Sequence, residues 1–257
     1  MPVQMTLTAL PEMPLVKPGD DLAGLILEGL KRSALDLRDG DVIVVAQKVV
    51  SKAEGRWVDL KTVQPSPAAL ELAAQTSKDP RLVEVILSES RQVVRTRAAL
   101  IIVLHRLGFV CANAGVDHSN VGGPNGDEGE WVLTLPEDPG RSAAELRRRL
   151  EQASGARLGV LIIDSHGRAW RLGTAGVAIG VSGFPALLDL RGHPDLFGYI
   201  LQVTQVGLAD EIAAAASALM GQADEGRPVI HVRGLPYALR EGSVSELIRP
   251  SEEDLFR

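Results

Sequence analysis

The chain contains a single cysteine, Cys111, so no disulfide framework can form within it, and a lone thiol suits a reducing compartment. Aromatic residues make up only 4% of its 257 residues, which leaves Leu, Val, Ile and Ala to build any core. No lysine-arginine stripe interleaved with aromatics is present, and the formal net charge is −6, so a nucleic-acid partner is not expected. The longest apolar runs, such as Ala98–Leu104, are far too short to span a bilayer. Met1 to Pro18 lacks the basic start and apolar run of a signal peptide. There is no GxxxxGK(S/T) and no GxGxxG after a strand, hence neither a P-loop nor a Rossmann fingerprint. The expectation is a cytoplasmic globular protein with no membrane partner.

What is present is 45% hydrophobic residues in a chain long enough to bury a sizeable core. Asp39-Gly40 leads into Asp41–Val45, a β-branched run that reads as a buried strand, with Gln47, Lys48, Ser51 and Lys52 at its far end. Residues 66–95 read as two helices, opened by Ser66-Pro67 and Asp79-Pro80, with Leu82, Val83, Ile86 and Leu87 on a core face. Ala98–Leu104 reads as a strand and Phe109–Ala112 as its return, followed by a glycine-rich loop over Ala112–Gly129. Ser142 to Glu145 has the form of a capping box for a helix ending at Gly155. Arg147, Arg148 and Arg149 on that helix read as a solvated face. Gly159–Ile163 is expected to be a strand ending at Asp164-Ser165, with Arg168–Gly176 returning beside it. Thr204–Met220 reads as a helix, with Val206 and Ile212 packing inward and Gly221 as its stop. Strands and helices mix without a βαβ rhythm, so the class is α+β.

Five places could carry chemistry. Asp117, with Asn120, lies in a glycine-rich loop after a strand; it either offers oxygen to Mg²⁺ or Mn²⁺ or closes an Asx-turn on its own backbone. Asp164 and Ser165 follow a buried strand, and two such aspartates could hold two metals or share one. Gln47, Lys48 and Lys52 either neutralise phosphate or are plain surface residues. Met220 to Gly226 (MGQADEG) is either a helix stop with a polar loop or part of a site. Cys111 with His105 or His118 has the residue types of a nucleophile and base, but an apolar strand makes Cys111 a small core residue.

Several motifs, in order along the chain, resemble the coenzyme F420-0:L-glutamate ligase (F420 gamma-glutamyl ligase) family. They are PGDDL at Pro18–Leu22, GDVIVVAQKVVSKAEGR at Gly40–Arg56, GFVCANAGVDHSN at Gly108–Asn120, GTAGVAIG at Gly173–Gly180, ADEI at Ala209–Ile212 and MGQADE at Met220–Glu225. The likeness spans about Pro14 to Gly234. The resemblance implies an α+β, mixed-sheet ligase domain over residues 1–257, possibly in two subdomains, that forms an intertwined homodimer. It implies the stand-alone form, with no nitroreductase-like flavin domain after Arg257. The implied activity is GTP-dependent, GDP-forming addition of L-glutamate to F420-0, then extension through γ-glutamyl links. The implied ions are Mn²⁺ or Mg²⁺, with K⁺ stimulating.

Position by position, the resemblance makes Asp117 and Asp164 metal ligands, with Ser165 and Gln222 as further metal contacts. Asn120 becomes a GTP contact. Met13, Pro14, Leu15 and Val16, then Gln47, Lys48 and Lys52, match early nucleotide-binding segments, Gln47 standing where relatives often have serine or threonine. Ala218–Glu225, with Met220, Gly221, Gln222 and Glu225, matches a late nucleotide loop. No residue stands out as the base for the glutamate amine. The competing readings are a same-family ligase for another acceptor acid, a metal-dependent phosphohydrolase, and a non-catalytic deazaflavin- or nucleotide-binding module.

Overall fold

The computed structural model describes residues 3–124, 126 and 129–254; Asn125, Asp127 and Glu128 of the expected glycine-rich loop lie outside them. In chain order the elements are β1 (Thr6–Ala9), α1 (Leu22–Arg32), β2 (Val42–Ala46), α2 (Gln47–Ala53), β3 (Trp57–Asp59), α3 (Pro67–Thr76), α4 (Pro80–Ser88), β4 (Ser90–Arg97) and β5 (Leu100–His105). There follow β6 (Val110–Ala112), β7 (Trp131–Leu133), α5 (Pro139–Ser154), β8 (Gly159–Arg168), β9 (Arg171–Ser182), β10 (Leu188–Asp189), β11 (Gln205–Val206), α6 (Leu208–Met220) and β12 (Val229–Arg233).

The α+β expectation holds, and the main sheet is mixed. Its strand order is β1-β12-β2-β8-β9, with β2 and β8 parallel and the other neighbours antiparallel. Strand side chains alternate between faces. Ile43, Val45, Val160 and Ile162 therefore meet α1, α2 and α5, while Val42, Val44, Leu161 and Ile163 meet α6. A sheet covered on both faces explains why β2 and β8 read as continuous apolar runs. Helix α6 comes close because β9 has Gly176 beneath it: a Cβ there would collide with the Ala213 carbonyl and the Ser217 side chain. Asp41 enters β2 fully buried; burial would raise its carboxyl, but Arg233 and His231 hold it below the usual carboxylate range. Its contacts of 2.7 Å to Arg233 and 2.9 Å to His231 lock β12 onto β2.

A second packing unit lies beside this sheet. Helices α3 and α4 cover the β4-β5-β6 sheet around Ile101, Val103, Val83 and Ile86. Cys111 is buried there, and burial pushes its thiol up to about 12, as befits a core residue rather than a nucleophile.

Several expected boundaries move. Helix α4 ends at Ser88, and residues 90–97 form β4, because they pair with β5. Helix α5 starts at Pro139 with Asp138 as N-cap, accepting from Arg141 N, so no capping box forms at Ser142. The Asp-Pro pair is the same signal that opens α4. Strand β8 does not stop at Ile163. It runs to Arg168 because β9 pairs along its whole length, setting Asp164 opposite Val177. Helix α6 begins at Leu208, leaving Val206 in β11 rather than on the helix's inner face. The three arginines of α5 are held in ion pairs, Arg147 with Glu151, Arg148 with Glu145 and Arg149 with Asp21.

Candidate active site

Helix α2 starts directly where β2 ends, so its first residues stand at the sheet's end. Gln47 is buried and donates its Nε2 to Asp117 Oδ2 at 2.6 Å. Ser51, one turn on, donates to Gln47 Oε1 at 3.0 Å and so fixes which way the amide points. Lys48 Nζ lies 3.4 Å from Asp117 Oδ1 and donates to the Ser119 carbonyl at 3.0 Å. Lys52, four residues later on the same helix face, donates to the Asn120 carbonyl at 2.8 Å. Asp117 itself is pinned by two 2.9 Å backbone hydrogen bonds with Leu133, and its carboxylate turns to Gln47 and Lys48 rather than closing an Asx-turn.

Strand β8 supplies the second half of the site. Asp164 and His166 share one face, and His166 Nε2 lies 3.0 Å from Asp164 Oδ2. Ser165 points to the other face, toward α6, where its hydroxyl donates to Gln222 Oε1 at 2.7 Å. Gln222 Nε2 in turn donates to Ser217 Oγ at 3.0 Å. The four candidate metal contacts thus fall into two pairs, Asp117 with Asp164 and Ser165 with Gln222. Asn120, in the left-handed region at φ 55, donates its Nδ2 to the Ala223 carbonyl at 2.8 Å and ties the two halves together. At the start of that late loop Gly221 has φ 78, and the Glu225 carboxylate folds over it where any Cβ would collide. Glu225 Oε2 accepts from Ala223 N at 2.8 Å, which shapes the loop after Met220.

Gln47, Lys48, Lys52, Asp117, Asn120, Asp164, Ser165 and the loop Met220–Glu225 therefore converge. The early segment does not join them. Met13 and Val16 pack on the core beneath α1, and Pro14 and Leu15 are exposed. Met13 and Val16 share that core with Val49 and Val50 of α2, and further along the chain Gly19 N donates to Ala53 O, at the end of α2, at 2.8 Å. His166 is the residue that reading the sequence missed. Its signal was the two-residue spacing from Asp164, which puts both on one face only if the strand continues.

Burial pushes the Asp117 carboxyl above its ordinary value; Lys48 opposes this, and the Asp164 carboxylate adds to it. A carboxylate whose ionisation is opposed by burial and by a neighbouring carboxylate is relieved by a cation between the two. The donors here are carboxylate, hydroxyl and amide oxygens, the set that suits a hard divalent cation such as Mg²⁺ or Mn²⁺. His166 would then orient Asp164 from behind. Among the described residues no three of His, Cys, Asp and Glu gather as a metal cluster, so Ser165, Gln222 or the bound substrates would complete any coordination. Burial and the neighbouring Lys48 charge lower Lys52 below the ordinary lysine value, while Asp117 works the other way. Two lysines beside a carboxylate pair, all at one sheet end, can hold phosphate oxygens.

Residues 11–234 match the family model described as F420-0:Gamma-glutamyl ligase. The chain belongs to that family. It is 49% identical over 247 residues to the coenzyme F420:L-glutamate ligase of Methanothermobacter thermautotrophicus, covering 95% of this chain and 96% of the relative. It is 50% identical over 246 residues to the enzyme of that name from Methanopyrus kandleri, covering 94% and 93%. With the one from Methanocaldococcus jannaschii it is 44% identical over 248 residues, covering 96% and 94%. All the site residues named above, from Met13 to Glu225, lie inside the stretch that the family model spans.

Proposed function

We propose that this chain adds L-glutamate to coenzyme F420-0 at the expense of GTP, releasing GDP, and then extends the tail through γ-glutamyl links. One observation carries the reading: four segments far apart in sequence meet at one place, through Gln47–Asp117, Lys52–Asn120, Ser165–Gln222 and Asn120–Ala223. Membership of the ligase family supports the choice of substrates.

The chemistry follows from the acceptor. A carboxylate at neutral pH is a poor acyl donor, and phosphoryl transfer from GTP turns it into an acyl phosphate that an amine can attack. Lys48 and Lys52 now donate to backbone carbonyls, and phosphate oxygens are stronger, charged acceptors for the same ammonium groups. Asn120 and the loop Met220–Glu225 close over the nucleotide, with Met13, Pro14, Leu15 and Val16 as an outlying contact. Gln47, held by Ser51, keeps the Asp117 carboxylate oriented. Asp117 and Asp164, with oxygens of Ser165 and Gln222, would hold Mn²⁺ or Mg²⁺. Such an ion neutralises the charge on the phosphate oxygens. K⁺ completes the proposed ion requirement.

The working unit is proposed to be a homodimer in the cytoplasm. Trp170 and Leu172 at the tip of the β8–β9 hairpin are 90% and 98% exposed, and Leu196, Phe197 and Val203 are similarly bare. Large apolar side chains this exposed are what an interaction surface would cover. Among the described residues, no helix is long and apolar enough to cross a membrane.

The test is mass spectrometry of purified protein with F420-0, L-glutamate, GTP and Mn²⁺. Products heavier by one or more glutamyl residues, and absent without GTP, are expected. GTP consumed with F420-0 unchanged would replace this reading with another acceptor or a phosphohydrolase. Ligand binding without turnover would leave a binding module.

A further inference from the structure

A cleft of about 250 Å³ opens along the free edge of β9. Phe109, Val110, Leu247 and Ile248 form its apolar wall; His166, Asp210, Arg249 and Asp254 are its polar groups. It is no remote hollow. His166, on its wall, lies 3.0 Å from Asp164, so cleft and proposed active site share a side chain.

Two of its charged groups have bonding capacity to spare. Asp210, in the first turn of α6, uses Oδ1 to accept from Ala178 N at 2.9 Å, which satisfies an edge amide of β9. Its Oδ2 has no hydrogen bond among the described residues. Arg249 is exposed and forms no ion pair among the described residues, whereas Arg147, Arg233 and Arg240 each hold a carboxylate. A cation and a partly free anion thus line one small space with an apolar wall.

We propose that this cleft seats the amino acid co-substrate: the Arg249 guanidinium takes a carboxylate of L-glutamate, Asp210 takes its ammonium, and the apolar wall covers its methylenes. The assignment rests on the glutamate-ligase reading above. The charges favour an amino acid over the other substrates. A nucleotide or other polyanion would meet Asp210 and Asp254, and the two lysines that suit phosphate stand elsewhere, on α2. The size points the same way, since drug-sized ligands take pockets of roughly 300–1,000 Å³. The shared His166 puts the amine end of such a ligand next to the carboxylate pair where the acceptor is to be activated.

Arg249→Gln and Asp210→Asn test this; the asparagine keeps an oxygen for Ala178 N. Steady-state kinetics should show KM for L-glutamate raised about 10- to 100-fold in each, the loss of one charge-assisted hydrogen bond, with KM for GTP and F420-0 unchanged. Arg249→Lys should recover part of the loss, because a point charge replaces a fork. A wild-type protein that ligates glutamate, with both variants retaining its KM for glutamate, overturns the cleft and leaves the ligase reading standing. If the wild type ligates nothing, the ligase reading fails, and calorimetric titration with L-glutamate decides the cleft separately. Heat of binding that disappears in Arg249→Gln upholds it; a wild type that binds no L-glutamate overturns it.

Discussion

Gln47 reaches across 70 residues of sequence to donate to Asp117 at 2.6 Å, and Ser51 holds the other end of its amide. The carboxylate is thereby aimed, beside Asp164, with Lys48 the one countercharge in contact among the described residues. Asp117→Asn and Asp164→Asn are each expected to lower ligation at least about 100-fold, the scale on which removing a charge from a phosphoryl-transfer site acts. Unfolding stability should change by no more than about 2 kcal/mol, as asparagine keeps the shape and an oxygen acceptor at each of these largely buried, hydrogen-bonded positions. Product formation and urea denaturation measured side by side check this. Wild-type turnover in either variant would remove the two-aspartate site.

Lys52 lies one helical turn beyond Lys48, and each is bonded to a carbonyl of the loop after Asp117. Lys52→Ala is expected to raise KM for GTP about tenfold while leaving KM for F420-0 in place, because the lost group is a point charge for phosphate. Because burial and Lys48 lower the Lys52 ammonium, nucleotide affinity should weaken as pH rises, starting below the ordinary lysine value. Fluorescence titration with a labelled guanine nucleotide between pH 7 and pH 10 reads this directly. A variant that fails to fold would instead mark Lys52 as structural.

How far the sequence reached depends on what each signal encodes. The buried strand at Asp41–Val45 and the helices opened by Ser66-Pro67 and Asp79-Pro80 were legible, since local patterns specify them. The end of β8 was not. Asp164 and Ser165 look like the polar residues after a strand, but pairing with β9 carries the strand five residues past Ile163. That is tertiary context overriding a local signal. The same error hid His166, whose place beside Asp164 depends on the strand continuing. The converging residues were legible one by one, as strand-end and loop polar groups and through the family resemblance, yet the hydrogen bonds that join them span up to 103 residues, as from Asn120 to Ala223, and no periodicity encodes such a pairing.

The β8–β9 hairpin turns at Trp170, which takes a left-handed φ of 63, and both its indole and the Leu172 side chain are almost fully exposed. Burying two such side chains at an interface is worth a few kcal/mol, roughly 1.5–3 for each. Trp170→Glu with Leu172→Glu should therefore convert the proposed dimer to monomer in light scattering, with the far-ultraviolet circular dichroism unaltered. A wild type that is monomeric at micromolar concentration would refute the dimer outright.

His105 shows how acid should act on the fold. Its ring is fully buried, stacked on Phe109 with centroids 5.2 Å apart, and Nδ1 accepts from Leu107 N at 3.0 Å. The neutral ring therefore carries its proton on Nε2, which has no hydrogen bond among the described residues and lies 3.6 Å from Glu89. Protonation would have to break the bond to Leu107, and burial lowers the imidazole from 6.5 to about 4, Glu89 opposing only in part. Between those values the unfolded chain binds a proton that the folded chain refuses, so stability falls as pH drops from about 6.5 to about 4. The full effect is roughly 3 kcal/mol, present below about 4 and absent above about 6.5. Carboxylates add their own acid sensitivity, so the measurement is the difference between wild type and His105→Asn in urea unfolding at pH 7.5, 5.5 and 4.5. The variant is expected to start less stable and to lose less on acidification; parallel losses in the two proteins would assign the acid sensitivity to groups other than His105.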